Sequence, residues 1–339
     1  MLTIDGSFGE GGGQIIRTSL ALSLMTGTPF RVYNVRAKRD KPGLRQQHLT
    51  AVNSAARIGG AKVDGAAVGS REFTFVPGKV EPGEYNFDVG TAGSTTLVLQ
   101  TVLPPLIFAS SPSLLTLEGG THNAFAPPFD FLQKTFLPLV NRIGAHVTAE
   151  LERYGFYPRG GGRFVVHIEP ATEPRRLELL RRGELRRERA RALVVNLPAS
   201  IAERELAVVA EKLGWRDDQL QVEVSSNGYS PGNAVLIEIE SEALTLVFSR
   251  LGERGVRAEV VAEKASEEAA RYLSLGVPVD EHLADQLLLP LALGAGGAYR
   301  TAPLSLHTTT NIEIIRKFLD VEISTTHLKG DVWEIEVRK

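Results

Sequence analysis

Three stretches of this chain repeat one pattern: a helical period of apolar residues, then a short strand, a polar loop and a second strand. In the first copy the helical period starts at His48 and ends at Ile58-Gly59-Gly60, and the closing strand reads Phe73-Thr74-Phe75-Val76. The second copy leads from Asp130 through Ile143-Gly144-Ala145 to Phe164-Val165-Val166-His167-Ile168. The third starts at Thr310, passes Phe318-Leu319 and closes with Val332-Trp333-Glu334-Ile335-Glu336-Val337. Each copy sets an amphipathic helix beside alternating strands, which predicts an α/β (α+β) arrangement of helices packed on small sheets.

Between the second and third copies the pattern breaks. Residues 174–191 are crowded with arginine and poor in apolar residues, whereas residues 193–261 resume alternating strands around a helix over 202–213. Such a shift in composition marks an inserted smaller domain. The expected division is a large repeat domain over 1–180 and 273–339, with the insertion over 181–272. The arginine run reads as a solvated linker or helix face, with contact to RNA as the less common alternative.

Composition narrows the class. At 339 residues the chain exceeds one small core and calls for one large or two moderate domains. Its 43% hydrophobic and 23% charged residues are ordinary for a globular enzyme. The longest apolar run, residues 95–110, is interrupted by Pro104-Pro105 and falls short of the roughly 20 residues of a membrane span, so no membrane partner is expected. Met1-Leu2-Thr3-Ile4-Asp5 lacks the basic start of a secretory signal. With no cysteine there is neither a disulfide framework nor a thiolate metal site, and a cytoplasmic location is the default expectation. A net charge of −2 argues against a globally basic nucleic-acid coat and leaves room for a local basic cleft.

Within that class, His307 is the strongest candidate nucleophile. A neutral imidazole can attack an activated phosphorus at neutral pH, where lysine and serine first need a base or a lowered pKa. It ends a small-residue loop, Thr301-Ala302-Pro303-Leu304-Ser305, and is followed by Thr308-Thr309-Thr310 and an apolar period of Ile312, Ile315, Phe318 and Leu319. Thr309 or Thr310 is the expected N-cap, which puts His307 beside free helix amides that favour phosphate oxygens. A plain surface or capping histidine is the commoner occupant of such a position.

Three glycine-rich segments add possible phosphate chemistry. Gly9-Glu10-Gly11-Gly12-Gly13-Gln14-Ile15-Ile16-Arg17 precedes a helical pattern through Leu20, Leu22 and Leu24. Its glycines let amides approach a phosphate, and Glu10 is an oxygen ligand suited to Mg2+ or Mn2+. It is neither a Walker nor a Rossmann motif, and a tight turn with a solvent-facing Glu10 explains it equally well. Residues 155–162 read as a hairpin turn, and Gly294-Ala295-Gly296-Gly297 as the C-cap loop of an apolar helix over 283–293. Between the first two lie residues 36–48, six of whose thirteen side chains are cationic or imidazole, placed directly before a helix.

These residues together resemble the RNA 3′-terminal phosphate cyclase family. Besides the segments just named, the matching elements are Ala92-Gly93-Ser94-Thr95-Thr96-Leu97-Val98-Leu99-Gln100, Ala126-Pro127-Pro128, residues 281–286 and residues 307–318, spread in the family's order over essentially the whole chain. The resemblance implies a large domain of three βαβ-type repeats, similar to the carboxy-terminal domain of a bacterial translation initiation factor, plus a smaller inserted domain. It implies an enzyme that uses ATP and Mg2+ or Mn2+ to adenylate His307. AMP then passes to an RNA 3′-phosphate, and a 2′,3′-cyclic phosphate forms as AMP leaves.

By resemblance Glu10 holds the metal, Arg17, Arg36, Arg39 and His48 engage phosphates, and Gln100, Pro127, His282, Asp285 and Gln286 line the nucleotide pocket. Two positions depart from the pattern. His282 stands where a relative has a tyrosine stacked on adenine, and Tyr154 precedes Gly155 where a basic residue is usual. Two other readings share the fold: a catalytically silent cyclase-like ribosome-assembly protein, which lacks the nucleophilic histidine, and an enolpyruvyl transferase-like enzyme, which needs no nucleotidyl-histidine.

Overall fold

A computed structural model describes residues 1–339. The first repeat consists of β1 (Leu2–Asp5), α1 (Gly13–Thr26), β2 (Phe30–Tyr33), α2 (Gln46–Ile58), β3 (Lys62–Asp64) and β4 (Phe73–Val76). Its sheet runs β1-β2-β4-β3, with β1 and β2 parallel and the other pairs antiparallel. The second repeats the plan with β5 (Glu84–Asp88), α3 (Thr95–Ile107), β6 (Ser113–Gly119), a helical segment over 129–142, β7 (His146–Arg153) and β8 (Gly162–Glu169), in the order β5-β6-β8-β7. That helical segment starts as α4 (Phe129–Phe131), takes a π-helical turn over Leu132–Phe136 and continues as α5 (Leu137–Arg142).

The third repeat opens with β9 (Leu177–Leu179) and is then interrupted. The chain builds β10 (Leu185–Val195), α6 (Ala199–Leu213), β11 (Leu220–Ser225), β12 (Gly232–Ser241), β13 (Thr245–Leu251) and α7 (Ala258–Leu275), with a sheet of their own in the order β11-β10-β12-β13. It returns with α8 (Glu281–Leu293), β14 (Gly297–Thr301), α9 (Leu306–Phe318), β15 (Glu322–His327) and β16 (Trp333–Arg338), completing the sheet β9-β14-β16-β15. The chain is thus a mixed α/β protein.

The periodic pattern in the sequence corresponds to the second half of each repeat. In α2 the spacing of His48, Ala51, Val52, Ala55 and Ile58 buries one face, as a 3.6-residue period requires. The strand-helix-strand half before it escapes the pattern because α1 and α3 are buried nearly all round and so have little polar stripe. Buried side chains from all four sheets join in one contiguous apolar cluster.

Two local expectations are corrected. Pro104 and Pro105 do not stop their segment: α3 runs through both to Ile107, because Leu103, Leu106 and Ile107 are buried in the core and hold the last turn despite the two missing N–H donors. No helix is long and apolar enough to cross a membrane. The arginine run is neither a linker nor a helix face but strands β9 and β10. Its side chains meet carboxylates on neighbouring strands: Arg187 lies 3.1 Å from Glu240, and Arg189 Nε donates to Glu238 Oε2 at 2.8 Å. Cross-strand charge pairs of this kind let an arginine-rich segment form a sheet.

The same arginines fasten the inserted unit to the second repeat. Arg191 pairs with Asp130 of α4 and Glu223 of β11, and Lys134 pairs with Glu238. Tyr154 donates its hydroxyl to Glu223 at 2.6 Å. The departure at Tyr154 therefore lies at this junction, which borders an open cavity of about 550 Å³. Arg191→Ala would leave two carboxylates facing each other with no cation between them. It is expected to cost about 3 kcal/mol, measured as a lower urea midpoint at unchanged slope; a loss below about 0.5 kcal/mol would mean that water in the cavity already neutralises the pair.

Candidate active site

The loops that follow β1, β2, β5, β6 and β14 each lead into a helix, so the amino-terminal ends of α1, α2, α3, α4 and α9 follow the carboxyl ends of parallel-type strands, where α/β sheets gather ligands. Helix packing brings these ends together: α1 contacts α2, α3 and α9, and α8 contacts α3 and α9. Side chains far apart in sequence meet there.

Gln14, in the first turn of α1, is the hub. Its Oε1 lies 3.1 Å from His307 Nδ1, and its Nε2 donates to Asp285 Oδ2 on α8. Asn311 of α9 accepts from Thr18 at 2.7 Å and donates to the Asp285 carbonyl at 2.8 Å, locking α1, α8 and α9 together. With Gln14 Oε1 turned toward it, His307 Nδ1 carries the ring proton and Nε2 keeps its lone pair. Partial burial lowers the His307 pKa, and Arg17 and Arg39 act in the same direction against Glu10, which favours the neutral ring. Burial pushes Asp285 up to about 7, against the pull of His282 and Arg17.

His307 is not in the loop before its helix, as expected, but within the first turn. Ser305, not Thr309 or Thr310, is the N-cap, its Oγ accepting from Thr308 N at 3.1 Å. The hydroxyls that follow serve elsewhere: Thr310 Oγ1 donates to the Leu306 carbonyl at 2.6 Å and accepts from Glu10 N at 3.0 Å. Ser305 is the better cap because it precedes the whole helical run, and its extended backbone lets the hydroxyl reach back over the first turn.

Glu10 is not solvent-facing. Its side chain is only 4% exposed; one oxygen pairs with Arg39 and the other, Oε1, has no hydrogen-bond partner. The glycines beside it are needed for space. A Cβ on Gly12 would stand 2.4 Å from the Glu10 carboxylate, and one on Gly13 would stand 2.5 Å from His48 Nε2. His48 is buried and accepts from Arg45 N through Nδ1 at 3.0 Å, so its Nε2 carries the proton. Burial, then Arg17, Arg36 and Arg45, push its pKa down to about 3. It is a neutral donor next to Arg17, whose own pKa burial lowers to about 10 and which therefore remains a cation.

The remaining predicted residues fall in or beside the same region. Gln100 Nε2 donates to Gln286 Oε1 at 2.6 Å, and Gln286 Nε2 to the carbonyl of the exposed His282 at 2.9 Å. Pro127 is reached through α3: its carbonyl accepts from Thr96 at 2.7 Å, and Ser94 N, two residues earlier, donates to Gln47 Oε1 beside His48 at 3.1 Å. Gln14, Arg17, Gln100, Asp285 and Gln286 line a cavity of about 50 Å³. Arg36 differs: its guanidinium donates to the carbonyls of Lys41 and Gly43 at 2.7 and 2.9 Å, bracing its own loop. Sequence reasoning gave no role to Gln14, although it stands in the glycine-rich motif, because a polar side chain in a first helical turn carries no signal of its partner in another repeat.

A protein-only metal cage is absent: no three acidic or histidine side chains converge. One buried carboxylate with an unpartnered oxygen instead fits a hard cation that takes its other ligands from phosphate oxygens and water.

Three repeats of one unit, with a histidine-bearing cationic cleft where their helices begin, define an α/β scaffold suited to phosphate chemistry. Residues 8–325 match the family described as RNA 3′-terminal phosphate cyclase. Curated relatives bearing that name include proteins from Koribacter versatilis, 51% identical over 321 residues (95% of this chain and 90% of the relative), and from Ectopseudomonas mendocina, 47% identical over 338 residues (100% and 98%). One from Ralstonia nicotianae is 48% identical over 324 residues, covering 95% and 93%. The chain belongs to the RNA 3′-terminal phosphate cyclase family.

Proposed function

We propose that the protein uses ATP to convert an RNA 3′-phosphate into a 2′,3′-cyclic phosphate, with His307 as the covalent carrier of AMP. The observation that carries this reading is the contact of His307 Nδ1 with Gln14, which leaves Nε2 as a free lone pair at a cationic cleft.

In the first step Nε2 attacks the α-phosphorus of ATP. The bond to the bridging oxygen breaks, pyrophosphate leaves, and a phosphorus–nitrogen bond forms. Positive charge develops on the ring, and Gln14 Oε1 stabilises it through the Nδ1 proton. In the second step an oxygen of the RNA 3′-phosphate attacks the adenylate phosphorus and His307 leaves as a neutral imidazole. In the third the 2′-oxygen loses its proton to solvent, attacks the RNA phosphorus and expels AMP. Activation matters because a bare phosphate offers no good leaving group.

Arg17 and the Nε2–H of His48 would hold phosphate oxygens, and Arg39 would join them once its pairing with Glu10 opens. A divalent cation held by Glu10 would supply charge neutralisation at the triphosphate. Gln100, Asp285 and Gln286, with Pro127 and His282 nearby, would enclose the nucleoside. The direct test is a 3′-phosphorylated RNA oligonucleotide incubated with the protein: its end should become resistant to phosphatase only when ATP is present. Retained sensitivity with ATP would contradict the reading.

Glu10→Ala tests the cation assignment. Adenylation should fall most at limiting metal and recover in part with excess Mg2+ or Mn2+. A loss independent of metal concentration would assign Glu10 to fixing Arg39 and the turn instead.

A further inference from the structure

The cleft continues onto a surface that the chemistry above leaves unused. Phe125 is fully exposed and holds a left-handed backbone, φ 64°, which is strained for a bulky side chain. Its loop, after β6, lies against the β7–β8 hairpin loop: Thr121 N and His122 N both donate to the Gly155 carbonyl, at 2.9 and 3.1 Å. The hairpin loop presents Tyr157, 80% exposed, and Arg159, also exposed. It abuts the loop between β11 and β12, where Arg159 N donates to Ser230 Oγ at 3.1 Å. There the Arg153 guanidinium stands 4.3 Å from the centre of the half-exposed Tyr229 ring.

At its other end this strip joins the cleft. Asn123 Nδ2 donates to the Ala92 carbonyl, and Ser94, two residues on, donates to Gln47 next to His48. Exposed rings and the exposed Arg159 therefore lead away from the phosphate-handling residues across three packed loops, while Arg153 is held beneath Tyr229 by Glu118 at 2.9 Å and by the Gly161 carbonyl. Aromatic faces stack on any base, and guanidinium groups follow a phosphate backbone.

We propose that Phe125, Tyr157 and Tyr229, with Arg159, form a stacking track for the unpaired RNA nucleotides just upstream of the 3′-phosphate, Arg153 serving to hold the Tyr229 ring in place. This rests on the RNA-end reading above. Stacking without base-edge hydrogen bonds makes the track tolerant of sequence, so length of single strand, not sequence, governs affinity.

The test is single-turnover transfer from pre-adenylated enzyme to 3′-phosphorylated oligonucleotides ranging from a dinucleotide to an octanucleotide. For the wild type, KM should fall as length increases. The triple variant Phe125→Ala, Tyr157→Ala, Tyr229→Ala should lose that gain, with KM for the octanucleotide rising about tenfold, while adenylation and dinucleotide transfer stay unchanged. Phe125→Trp should keep the length dependence, and Phe125→Leu should weaken it. The proposal is overturned if the triple variant keeps the full length dependence, if that dependence is lost instead on replacing Lys41 and Arg45, or if Phe125→Ala raises KM for ATP. A wild-type protein that fails to adenylate at all would bring down the proposed function itself, and the track with it.

Discussion

Replacing His307 by alanine is expected to lower adenylation and cyclisation by at least about a thousandfold while leaving the fold in place. The residue is exposed, and its side chain makes one hydrogen bond, to Gln14. Thermal and urea unfolding should therefore shift by no more than about 0.5 kcal/mol. A folded His307→Ala protein that still cyclised RNA would require a different nucleophile, and the cysteine-free chain offers none with a comparable setting.

The second large effect is expected at Gln14. Gln14→Ala removes the acceptor that keeps the proton on His307 Nδ1, and adenylation should fall about a hundredfold or more, by analogy with loss of a tautomer-fixing partner in hydrolase triads. Asp285 adds a pH dependence. Above about 7 its carboxylate accepts from Gln14 Nε2 and turns Oε1 toward His307; below that value the protonated carboxyl competes for Oε1. Adenylation should decline as pH falls through about 7. The lowered His307 pKa places protonation of the imidazole on the acid side of its ordinary range, so the limb belongs to Asp285. Asp285→Asn should flatten it in a pH profile of single-turnover adenylation. An unchanged limb in that variant would assign it elsewhere.

Much of the scaffold was legible in the chain because it is written as periods. Each helix with two strands could be read from apolar spacing, whereas the arginine-rich break at 174–191 takes in both β9, which belongs to the third repeat's sheet, and the first part of β10, which belongs to another. What the pattern hid was burial without a polar face, as in α3, and charge compensation at a distance. The arginines of β10 look like a solvated run until Asp130, Glu223, Glu238 and Glu240 are seen beside them. Likewise the candidate site was legible as residue types, including His307, Glu10 and the basic residues 36–48. Its wiring was not. The pairs Gln14–His307 and Gln14–Asp285 span 293 and 271 positions in sequence, and no local spacing encodes them. Nor did the run of threonines after His307 reveal that Ser305 caps the helix, since several hydroxyls in succession compete for one role.

The covalent step is the point on which everything else depends. Incubation with α-labelled ATP and a divalent cation, followed by denaturation and peptide mapping, should place one AMP on His307 through a phosphorus–nitrogen bond that acid breaks and alkali spares. No label on the folded protein, or label on any other residue, would contradict it.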